Sequence, residues 1–68
     1  MLKQVNELQY EFFKLIEELE CDCWSKEIAT KKLEILENKA TEILNQDNSY
    51  FYRLMHEVQY CRELIKIM

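Results

Sequence analysis

Cys21-Asp22-Cys23-Trp24-Ser25-Lys26 interrupts an apolar ladder that otherwise runs through the first two thirds of the chain in one register. Before it, Val5, Leu8, Phe12, Leu15 and Leu19 step by three and four; after it, Ala29, Leu33, Leu36, Ala40 and Ile43 do the same. Within it, Asp22 and Lys26 fall on the two seam positions that helix packing wants apolar. An unbroken helix of about 44 residues would be a rod of roughly 66 Å whose apolar stripe needs another chain. The polar interruption predicts instead that the chain doubles back here.

Local chemistry supports a helix end at this point. Glu17, Glu18, Glu20 and Asp22 crowd acid where the helix dipole is negative, and Ser25 is placed to cap the next helix. Helix 1 is expected over 2–21, with Leu2, Val5, Leu8, Phe12, Leu15, Ile16 and Leu19 as its apolar arc, Phe13 widening it and Tyr10 outward. Helix 2 is expected over 25–44 and carries a second stripe, Ile28 and Ile35 with Trp24 beyond them, about 100° from the first. Two stripes predict two partners, with Lys32 and Lys39 laying their stems between them and reaching water or the acids of helix 1.

Asn45-Gln46-Asp47-Asn48-Ser49 is made of side chains that compete for backbone hydrogen bonds, so it predicts a loop with Ser49 as the next N-cap. Helix 3 follows over 49–67, with Phe51, Leu54, Met55, Val58, Cys61, Leu64, Ile65 and Met68 inward. Short links make neighbours antiparallel. The expected fold is a single all-α domain over 1–68, an antiparallel three-helix, up-down-up bundle.

Size adds a second expectation. A chain of 68 residues buries only about 60% of the surface it exposes unfolded, which leaves little net stability and favours completion by homodimerisation. Neither Gly nor Pro occurs, so phosphate-cradling loops and tight hairpins, which need positive φ, are not expected. Scattered charge leaves no apolar run of membrane-spanning length, and the N-terminus lacks a signal-peptide pattern. Three cysteines, an odd number, then read as reduced thiols in the cytoplasm.

The net charge of −4 lies on residues 1–22, where Glu7, Glu11, Glu17, Glu18, Glu20 and Asp22 face only Lys3 and Lys14. A basic footprint for phosphate backbones is missing, and glutamates interleave Lys26, Lys31, Lys32 and Lys39, so direct nucleic-acid binding is not expected. Glu7, Glu11 and Glu18 instead form an expected outward acidic strip, able to meet a basic protein as a nucleic-acid mimic does.

Cys21, Cys23, His56 and Cys61 are residue types that zinc prefers. Positions 56 and 61 differ by about 140° on a helix, and Cys21 and Cys23 point to nearly opposite sides, so no metal site is expected. Acids around Cys21 and Cys23 oppose thiolate formation, Cys61 and His56 face opposite ways, and the glutamates of helix 1 lack an apolar pocket. No catalytic residue, enzyme activity or cofactor is expected.

The outer face of helix 3 is the more informative surface. Tyr52, His56, Tyr60 and Ile67 lie within about 80° of one another, flanked by Arg53 and Glu63. Rows of tyrosine beside histidine suit the buried centre of a protein contact. The expected function is therefore a small regulator or inhibitor, of a size carried by phages and mobile elements, that occupies a partner protein's surface. The competing readings are an assembly subunit whose aromatics serve self-association, and the acidic mimic.

Overall fold

In a computed structural model, which describes residues 2–68, the chain forms three α-helices: α1 Leu2–Glu20, α2 Lys26–Gln46 and α3 Phe51–Lys66. A single 3-10 turn, Asn48–Tyr50, leads into α3. The long dimension is 33 Å and the other two are 17 and 16 Å. At 1.5 Å per residue that is the length of one helix, so the helices lie side by side and no continuous rod forms.

The break after α1 is a backbone device. Asp22 adopts φ 60°, the one positive value among the described residues. Its N–H bonds the Leu19 carbonyl at 3.2 Å, while the Cys23 N–H reaches back to the Glu18 carbonyl at 3.1 Å. This pair of bonds is the Schellman arrangement, which satisfies carbonyls that the helix end would leave without partners. Glycine is the usual residue at that left-handed position; aspartate is tolerated because its short polar side chain suits it better than most. Ser25 then caps α2, its hydroxyl accepting from the Ile28 N–H at 3.3 Å.

The second connection is built by a side chain. The Asp47 carboxylate accepts from the Ser49 N–H at 3.0 Å and the Ser49 hydroxyl at 2.7 Å. These two bonds, the hydroxyl's first, hold the Asp47 carboxyl below its ordinary pKa. The expected cap therefore moves: Asp47 caps the 3-10 turn, Ser49 is its ligand, and α3 starts at Phe51 behind Tyr50, which offers no side-chain cap. A carboxylate two residues ahead competes better for these donors than a hydroxyl can.

One core fills the space between the helices, and each helix packs against both others. The ladder residues on both sides of the break are all buried, joined by Leu54, Val58, Cys61 and Ile65 of α3. Phe12 is fully enclosed, so its truncation to Ala costs about 3–5 kcal/mol. Polar clamps bind the helices at the rim. Lys39 of α2 pairs with Glu11 of α1 at 3.3 Å, Arg53 of α3 donates to Gln9 of α1, and Arg62 of α3 grips both oxygens of Glu37 of α2 at 3.1 and 2.9 Å.

Several expected inward residues are not inward. Ile28 and Ile35 are exposed, so the second stripe of α2 meets no helix. In a trio where every helix touches the other two, one stripe per helix faces both partners at once. Leu2, Phe13, Phe51 and Met68 are also largely exposed, because they lie at bundle ends or arc edges, beyond the reach of the other helices. Trp24 packs against the core, donates its indole N–H to Glu18, and carries the Lys32 ammonium 4.2 Å above its ring. That cation–π contact, worth about 0.5–1 kcal/mol, and the Lys39–Glu11 pair keep both lysine heads at the surface.

Candidate functional site

Burial of Leu54, Val58, Cys61 and Ile65 fixes the rotation of α3 and thereby aims its opposite side at solvent. That side presents Tyr52, His56, Gln59, Tyr60, Glu63 and Ile67, all exposed, within an arc of about 100°. Tyr52 and Ile67 are the most exposed large apolar side chains among the described residues, at 85% and 79%, and Tyr60 is 46% exposed. Tyr52 is steadied by Phe51, whose ring meets it edge-on with centroids 5.5 Å apart and planes at 86°. The structure thus places Tyr52, His56, Tyr60 and Ile67 on one face.

Arg53 stands on the flank of this row, and its bond to the Gln9 amide oxygen ties that flank to α1. The acidic strip fares differently. Glu7 is exposed, but Glu11 is paired with Lys39 and Glu18 with the Trp24 indole. Both are half-buried along the α1–α2 side, where Glu7 and Glu11 share a shallow groove with Lys39 and Glu42. Within the expected strip, Glu7 faces solvent, while Glu11 and Glu18 line the edge of the α1 arc closest to α2.

Cys61 and His56 are separated by the body of α3. Cys61 is fully buried, and burial first, the Glu57 charge second, push its thiol up to about 12. A thiol so held is a poor nucleophile and a poor metal ligand. Cys21 and Cys23 are exposed on either side of Asp22, and no three potential metal ligands come together among the described residues.

Glu57, only 9% exposed, is the buried acid that sequence reading missed. It lies one helical turn before Cys61, on the flank between the two faces. Its spacing from Leu54 and Val58 was the available signal, masked by its charge. Comparison with protein-family models, curated proteins and solved structures returns no match.

Proposed function

We propose that this chain is a small non-enzymatic protein-binding regulator or inhibitor that acts by occupying a partner protein's surface with the outer face of α3. The observation that carries the reading is the row of exposed Tyr52, His56, Tyr60 and Ile67 on a helix whose other side is locked into the core. Large amphipathic side chains on a rigid element lose little conformational entropy on contact and dominate the centres of interfaces.

The scaffold of this reading is a bundle running up, down and up, completed by a second copy. Support comes from the short connections and from the clamps: Lys39 late in α2 meets Glu11 in α1, and Arg62 late in α3 meets Glu37 in α2. The non-enzymatic part is supported by the protonated, enclosed thiol of Cys61 and its separation from His56. Reduced thiols at Cys21 and Cys23 suit a cytoplasmic setting. Among the described residues no helix is long and apolar enough to cross a membrane.

Capture of binding proteins on the tagged chain tests the proposal. Tyr52→Ala, His56→Ala and Tyr60→Ala combined are expected to abolish capture, and equal recovery by wild type and variant removes this face from the function. Glu7→Lys, Glu11→Lys and Glu18→Lys combined test the acidic mimic. Their capture and salt dependence are expected to stay unchanged, because the proposed contact lies on α3 and not on the α1 acids.

A further inference from the structure

We infer that the outer face of α3 is closed by α3 of a second copy, lying antiparallel to it across a two-fold axis that passes beside Gln59 and Tyr60. The inference rests on reading that face as a contact surface, and it names the occupant.

A two-fold contact must be self-complementary: each residue meets one whose own partner is its copy. Reflecting the exposed row of α3 about the midpoint between Gln59 and Tyr60 brings Tyr52 opposite Ile67, His56 opposite Glu63, and Gln59 opposite Tyr60. The two most exposed large apolar side chains of the chain, Tyr52 and Ile67, thereby cover one another at both ends. In the middle, a base meets an acid twice. Tyr60 approaches its own copy near the axis, where an aromatic pair is favourable.

The like charges at mirrored positions, Arg53 and Lys66, do not collide. They lie about 140° apart around the helix, on opposite flanks of the row, and Arg53 is drawn towards Gln9 of α1. A random exposed face has no reason to place its largest apolar groups, and its one base and one acid, at mirrored positions. One helix pressed on its copy is a contact at the small end of the range for specific complexes, so the dimer is weak and exchanging. A foreign partner then meets this face only when the copies part, and self-association competes with capture.

Sedimentation equilibrium of the full chain tests this, with circular dichroism confirming that each variant stays helical. Wild type is expected to move from 8.4 kDa towards twice that mass as concentration rises. His56→Glu and Glu63→Lys are each expected to weaken the dimer about tenfold or more, since the first sets two carboxylates opposite one another on both sides of the axis and the second takes the acid away from His56 on both sides. Mixed in equal amounts, the two variants are expected to associate with each other, because the mixed pair sets the introduced glutamate against the introduced lysine at one contact and restores the native His56–Glu63 contact at the other.

A wild type that stays monomeric overturns the inference and leaves the contact-surface reading to the capture experiment. A dimer insensitive to Tyr52→Ala, His56→Ala and Tyr60→Ala combined also overturns it, because the copies then meet elsewhere. Charge reversals that weaken the dimer without association of the mixture overturn the two-fold register.

Discussion

Both sides of α3 carry large apolar side chains, but only one side is covered. The inner side holds Leu54, Val58, Cys61 and Ile65; the outer holds Tyr52, Tyr60 and Ile67 beside His56, Gln59 and Glu63. One is sealed and the other open because α1 and α2 approach from one direction only. Apolar area gains free energy where another surface removes it from water, and the outer row stands where the chain itself supplies none. Its tyrosines and histidine tolerate water at their polar tips while keeping a large apolar body for contact.

The contrast breaks most visibly at the thiols. Cys61 sits on the sealed side, with its pKa pushed up to about 12, so near pH 8 its reaction with a disulfide reagent is expected to run far slower than that of the exposed Cys21 and Cys23. Two thiols should titrate at once and the third on unfolding; three fast thiols would mean that the inner side opens. The same raised value makes stability fall as pH climbs from about 9 towards 12, since the unfolded thiol loses its proton first. Cys61→Ala should flatten that alkaline loss in denaturation midpoints.

Next in size is Leu54→Ala, expected to cost about 2–5 kcal/mol in urea unfolding because it leaves a void in a fully packed site. A loss below about 1 kcal/mol would mean that the inner side is loosely packed. Asp22→Gly is a control that touches neither side of α3. It relieves the left-handed strain and removes an acid at the end of α1, and should add about 0.5–1 kcal/mol with association unchanged. Ala at Tyr52, His56 or Tyr60 should shift stability by no more than about 0.5 kcal/mol each, so that binding and folding separate cleanly. Smallest is Glu57→Gln, which should bring the Cys61 titration down only slightly, because burial and not the neighbouring charge is the main cause.

Much of the fold was legible because seam positions are unforgiving. Asp22 and Lys26 on a buried stripe announce a break, and the ladder residues on either side are buried as their spacing requires. Ser25 was readable as a cap for the same local reason. Ile28 and Ile35 misled because periodicity gives an angle around a helix but not how many helices stand at that angle. Ser49 misled because two capping candidates lay two residues apart, and only the observed bonds decide for Asp47.

The candidate surface was partly legible in the same way. Exposure of Tyr52, His56, Tyr60 and Ile67 follows once Leu54, Val58 and Cys61 are inward, whereas the engagement of Glu11 and Glu18 depends on which helix lies beside α1. Sequence by itself determined three helices, the place of the break and which stripe of each helix is apolar, because these follow from spacing within a dozen residues. Tertiary structure alone decided that one stripe of α2 serves two neighbours, that Glu57 is enclosed and that Glu11 and Glu18 of α1 are engaged. Those outcomes depend on the distance between segments far apart in the chain, and local periodicity carries no information about that distance.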